Sequence, residues 1–89
     1  MFETEDLVFS AWLHSMGKLR FVRCESNELG RITFIFSDPE GHGEALLAEF
    51  INGSALCPVR TFYDSIRCLR TAMNRSKETN YVPYQRNRR

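Results

Sequence analysis

No apolar run in this chain of 89 residues approaches the roughly 18 that a membrane-spanning helix requires, which excludes such a span. The N-terminus, MFETEDLVF, has acidic residues where a signal peptide would be basic, so the expected location is cytoplasmic. Cysteine is scarce and poorly spaced. Cys24, Cys57 and Cys68 are odd in number and form no CxxC pair, which speaks against a disulfide framework and for reduced thiols. The two histidines, His14 and His42, lie at no ligand spacing from each other or from the cysteines, so neither a metal nor a cofactor is expected. Glycine forms no phosphate-cradling pattern. Gly41-His42-Gly43 is followed by Glu44, whose charge would repel phosphate. Internal repeats and low-complexity stretches are missing from the body of the chain, leaving room for one domain.

What is present is organised around Pro58 to Arg75. Phe62, Ile66, Leu69 and Met73 recur at spacings of four, three and four, which predicts a helix with one apolar stripe. Arg60, Asp64, Arg67, Thr71 and Asn74 fall on the opposite face. Pro58 suits the first helical position, where its missing N–H costs nothing. Burying the four stripe residues contributes roughly 6–12 kcal/mol in gross terms, at about 1.5–3 each.

The chain before it divides into four pieces. Thr4 to Met16 predicts a helix capped by Thr4, with Glu5 and Asp6 in its first turn and Gly17 as its left-handed stop. Val8, Phe9, Trp12, Leu13 and Met16 would share the buried side. Leu7, Ala11 and His14 would lie opposite, making Leu7 a candidate dimer contact. Leu19 to Glu25 and Arg31 to Ser37 alternate as strands around the turn-forming SNELG, which predicts an antiparallel hairpin. In the first strand Leu19, Phe21 and Arg23 would point one way and Arg20, Val22 and Cys24 the other. Ser37-Asp38-Pro39-Glu40 is a helix-start signal, with the helix itself expected over Glu44 to Ile51 and ended by Asn52-Gly53. The predicted fold is α+β in the order α-β-β-α-α, a single domain over residues 1–76 with a basic C-terminal tail over 77–89. A two-stranded hairpin is marginal in water and has bare edges, so a homodimer with a shared sheet is expected.

Net charge is +1, but residues 1–50 carry −5 and residues 51–89 carry +6. Arg60, Arg67, Arg70 and Arg75 project from the last helix. Lys77, Arg86, Arg88 and Arg89 follow, with Tyr81 and Tyr84 interleaved. Arginine mixed with aromatics can neutralise phosphates and stack bases, which makes these ten residues the candidate anion or nucleic-acid contacts. Asp64 stands three or four residues from Arg60 and Arg67 and would neutralise part of that face. No known nucleic-acid-binding motif accompanies it. Enzyme chemistry finds less support. Cys57, just before Pro58, could have an activated thiol at a helix start, but neither histidine is spaced to serve as its base. The carboxylates gather in helix first turns, as dipole physics alone expects. The sequence therefore reads as a non-enzymatic interaction module of the adaptor or inhibitor kind, with an unidentified protein partner and nucleic-acid binding as the alternative.

The helix end Trp12 to Gly17, the aromatic strand Arg31 to Phe36, the turn Glu49-Phe50-Ile51-Asn52-Gly53 and the Pro58 helix with its Ile66-Arg67-Cys68-Leu69-Arg70 run form one pattern. Together they resemble a family of small α+β domains of unknown function from bacteria and phages. The likeness covers most of residues 5–75 and none of the tail. It departs from the family at Cys57, where an aspartate would be usual. It implies an α+β fold and a phage or mobile-element setting, and carries no activity with it.

Overall fold

The protein is described here by a computed structural model over residues 1–79, with side chains through Ser76. Six elements follow in order: β1 (Phe2–Thr4), α1 (Leu7–Ser15), β2 (Arg20–Ser26), β3 (Ile32–Ser37), α2 (Gly43–Ile51) and α3 (Val59–Thr79). The class is α+β with three helices, but the order is β-α-β-β-α-α. The sheet is antiparallel with three strands in the order β1-β3-β2. The extra strand takes Thr4, which the sequence assigned as the cap of the first helix, together with Phe2 and Glu3 ahead of it. Phe2, Glu3 and Thr4 pair with Phe36, Ile35 and Phe34. Thr4 consequently does not cap α1. Its hydroxyl accepts from the Asp6 N–H at 3.2 Å, and the Asp6 carboxylate caps the helix by accepting from the Phe9 N–H at 3.0 Å.

α1 ends as its sequence predicts. Gly17 adopts φ +63°, and the N–H groups of Gly17 and Lys18 return to the carbonyls of His14 and Leu13, a double closure that only a left-handed residue permits. The two-sided reading of this helix fails, however. Phe9, Ser10, Ala11, Trp12 and Leu13 are all buried, so α1 is enclosed on nearly every side, while Val8 and Met16 are exposed. Leu7 is half-buried and packs against the core.

Aromatic rings fill the space around α1. Phe9 meets Phe2 edge-on at 5.9 Å, Trp12 at 6.2 Å and Phe50 at 5.1 Å between centroids. Phe34 and Phe36 close the cluster from β3, and Leu69 from α3. Ile35 is buried on the opposite sheet face, beside its cross-strand neighbours Glu3 and Arg23.

β2 departs from simple alternation. Phe21 pairs with Phe36 but Arg23 pairs with Ile35, so Val22 is an inserted bulge residue without a partner on β3. The bulge resets the pleat, and Phe21 and Cys24 both pack against the core where strict alternation would separate them. The turn into β3 is held by Asn27, whose side-chain oxygen accepts from the N–H groups of Leu29 and Arg31.

The Asp38 signal works at longer range than expected. α2 begins at Gly43, and the two carboxylate oxygens of Asp38 accept from the N–H groups of His42 and Gly43, each at 2.8 Å. Desolvation pushes the Asp38 pKa up, but these two donors and the nearby His42 outweigh it and hold the carboxyl below its ordinary value. Gly53, at φ +82°, ends α2 as predicted. α3 then buries Leu69 fully and Phe62, Ile66 and Met73 in part, the predicted stripe. It runs to Thr79, three residues past the predicted domain boundary at 76.

Candidate interaction surface

The segment between α2 and α3 fixes how α3 is presented. The Trp12 indole N–H donates to the Leu56 carbonyl at 3.1 Å, tying this strap to α1. The Ser15 hydroxyl lies 3.1 Å from the Cys57 thiol. That thiol also contacts the Pro58 carbonyl at 3.3 Å, which itself accepts the first α3 hydrogen bond from the Phe62 N–H. Cys57 is thus turned toward Ser15 and the strap. Among the described residues its partners are the Ser15 hydroxyl and the Pro58 carbonyl, neither of which is a base that would activate it.

One turn further on, His14 Nδ1 and the Ser65 hydroxyl lie 2.8 Å apart and join α1 to α3. This is the spacing of a nucleophile and its base. Ser65 is 3% exposed, so its oxygen is closed to any substrate, and the His14 ring packs edge-on against Phe21. The pair acts as an interhelical clamp. Sequence reasoning did not connect these residues, because a separation of 51 positions carries no local signal.

With its inner stripe clamped, α3 turns the opposite side to solvent. Arg60, Arg67, Arg70 and Arg75 are all exposed there, so the four arginines predicted from this helix share one side. The expected neutralisation does not occur. Among the described residues no ion pair joins Asp64 to Arg60 or Arg67. Arg67 instead sits over the Tyr63 ring, 5.8 Å from its centroid. Tyr63 was not singled out from the sequence, although its place four residues before Arg67 was the available sign. At the start of the same helix Val59 is 84% exposed, while Leu56 in the strap and Ile51 at the end of α2 are 79% and 70% exposed. The Lys77 backbone continues α3, while Tyr81, Tyr84, Arg86, Arg88 and Arg89 lie outside the described residues.

The remaining reactive groups are dispersed. Burial pushes the Cys24 thiol up to about 11, so it stays protonated and uncharged at neutral pH. Cys68 is exposed on α3. Among the described residues no three His, Cys, Asp or Glu side chains gather as a metal site requires, and no helix is long and apolar enough to cross a membrane. Comparison with known proteins returns no match among family models, curated proteins or solved structures.

Proposed function

We propose that the chain is a small non-enzymatic interaction module, of adaptor or inhibitor type, that docks an acidic protein partner through the outer side of α3. The observation that supports this is the composition of that side. Val59 and Tyr63 stand exposed beside Arg60, Arg67 and Arg70, none of which has a carboxylate partner among the described residues. Tyrosine and arginine are the residue types that carry most binding energy at protein interfaces, with aliphatic neighbours supplying apolar area. Stacking of Arg67 on Tyr63 also holds the guanidinium in place before a partner arrives.

Nucleic-acid binding is the second reading, favoured by the same exposed side with Arg60, Arg67 and Arg70. The homodimer has less to motivate it, since β1 covers the β3 edge that the hairpin would have left bare. Self-pairing through β2 is the form it retains.

The test compares the full chain with a Tyr63→Ala/Arg67→Glu variant. Each is used to capture proteins from extracts and is titrated with labelled single- and double-stranded DNA and RNA across a salt series. A specific protein retained by the parent and lost by the variant supports the module. Micromolar nucleic-acid binding that falls steeply with salt and is lost in the variant moves the second reading to the front. Capture that ignores the substitutions, together with no nucleic-acid binding at low salt, overturns the assignment to this face.

A further inference from the structure

The outer side of α3 has the form of one half of a helix pair. Val59, Tyr63, Arg67 and Arg70 follow at steps of four, four and three, which at about 100° per residue puts them within an arc of about 80°. Arg60 borders that arc, and all five residues are exposed. We propose that this side takes an acidic amphipathic helix of a partner protein, about three turns long. Its apolar side chains would lie over Val59 and Tyr63, and its carboxylates over Arg60, Arg67 and Arg70. The proposal rests on the interaction-module reading and specifies what the partner presents.

Backbone chemistry selects a helix. The N–H and C=O groups in the middle of α3 are bonded within the helix, so its outer side offers an extended segment no ladder to join. A segment docking there must satisfy its own backbone as it leaves water, and a helix does so internally. Val59, Tyr63 and Arg67 form a ridge of the i, i+4 kind that interlocks with a second helix. Beside it, a depression of about 330 Å³ is bounded by Asp64, Arg67, Cys68 and Thr71. Those residues are spaced i, i+3, i+4 and i+7, the four-residue hole that receives one side chain of a packed helix. From Val59 to Arg70 the helix rises about 16 Å, and a partner helix crossing at roughly 20° stays in contact over that distance.

Charge selects the sign of the partner. Arg60, Arg67 and Arg70 form no ion pair among the described residues, and Asp64 is the single carboxylate between Val59 and Ser76. Arg75 already has an interaction of its own and does not contribute. Arg67 is held over Tyr63, 5.8 Å from the ring centroid, in place to receive a carboxylate. Val59, 84% exposed, and Tyr63, 56% exposed, supply the apolar half of the contact. A second copy of this side would set arginines against arginines, which disfavours self-association here.

The experiment selects two displayed libraries on the full chain, one of peptides randomised on a helix-forming scaffold and one of unstructured random peptides. The enriched peptides are then synthesised and titrated into isotopically labelled protein. Acidic residues at spacings of three and four, with apolar residues a turn or two away, should emerge. Amide shifts should centre on residues 59–71, and the bound peptide should be helical. A proline at the centre of the peptide should weaken binding more than tenfold by breaking that helix. Tyr63→Ala should weaken it about tenfold, and Arg67→Glu about tenfold by charge reversal. Asp64→Asn should strengthen it about twofold by removing the one repelling carboxylate, a gain that structural damage cannot imitate. Peptides that shift residues 59–71 but tolerate the central proline would overturn the helix while leaving the module reading in place. Enriched peptides without acidic residues, or with shifts centred elsewhere, would overturn it too. So would failure to enrich any peptide, with the capture experiment then deciding the module reading separately. Shifts at residues 59–71 that grow as the chain alone is concentrated would show a second copy there and overturn the acidic-helix proposal. DNA or RNA bound at these residues, with no peptide enriched, would overturn it and put the second reading first.

Discussion

Gly43→Ala should destabilise the fold, although glycine is ordinarily a poor first-turn helix residue. Gly43 is buried at the start of α2, and a Cβ built there overlaps the ring carbons of Phe2. Relieving that overlap means swinging Phe2 out of β1 and off its edge-on contact with Phe9. Overpacking of this kind costs roughly 1–3 kcal/mol. Replacing glycine in a helix returns at most about 1 kcal/mol, and less at the first position. The expected net loss is near 1.5 kcal/mol, or a Tm lower by roughly 6–12 °C for a domain of this size.

The sign is the decisive feature. Phe2→Ala alone should cost about 2 kcal/mol, because the ring is half-buried and a fully buried one costs roughly 3–5. In that background the new methyl meets nothing, and Gly43→Ala should become stabilising by about 0.5 kcal/mol. The double-mutant cycle then reads a coupling of about 2 kcal/mol. Urea unfolding followed by the fluorescence of the single tryptophan, Trp12, which is 3% exposed, reports all four proteins. If Gly43→Ala raises the midpoint equally with and without Phe2, the ring does not lie on Gly43. The placement of β1 against α2 would then be wrong.

Three further outcomes follow from single groups. Ser10 is fully buried, and its hydroxyl has no hydrogen-bond partner among the described residues. Ser10→Ala should therefore stabilise by about 1–2 kcal/mol in chemical denaturation, and a loss would mean the hydroxyl is satisfied. Trp12→Phe should cost about 1 kcal/mol by removing the hydrogen bond to the Leu56 carbonyl, and should speed hydrogen exchange in the strap at residues 54–57. Asp38 has a lowered folded-state pKa, so its contribution is complete above its unfolded value of 3.8 and disappears as pH falls through the folded value. The stability gap between the parent and Asp38→Ala should accordingly shrink between about pH 5 and about pH 2, and a gap that widens on acidification would refute the cap.

Elements with strong local chemistry were legible in the sequence. The apolar stripe of α3 and the alternation of the second hairpin strand are periodic signals carried by their own residues, and the stops at Gly17 and Gly53 rest on hydrogen bonds within a few residues. What the sequence hid depends on distant partners. Phe2 to Thr4 carries no strand signal of its own length, and becomes a strand because β3 offers it an edge. Asp6 displaced Thr4 as cap because Thr4 was already engaged in that strand. Leu7 looked exposed by helical period alone, yet α1 is surrounded on nearly all sides, and a stripe rule cannot describe such a helix. The arginine side of α3 was visible from spacing. Tyr63, and the pairing of His14 with Ser65, emerged only when the helices were set against one another.

The bulge at Val22 decides which β2 side chains reach the core. A regular β2 would alternate, sending Phe21 and Cys24 to opposite faces and leaving a core position to be filled from elsewhere. One inserted residue turns both inward, so the sheet is sealed against α1 and α3 without lengthening either neighbouring strand. The same insertion leaves Val22 without a Cα partner on β3. Substitutions at Val22 should therefore cost less stability than substitutions at Phe21 or Cys24, whose side chains pack against the core. The outer side of α3 is similarly separable, because the helix is held by Leu69 and the His14–Ser65 clamp on its inner side. Charge reversals at Arg60, Arg67 or Arg70 should move the unfolding midpoint by no more than about 0.5 kcal/mol, the usual range for exposed positions. If they unfold the protein instead, those arginines are structural, and the outer side of α3 is not available for a partner.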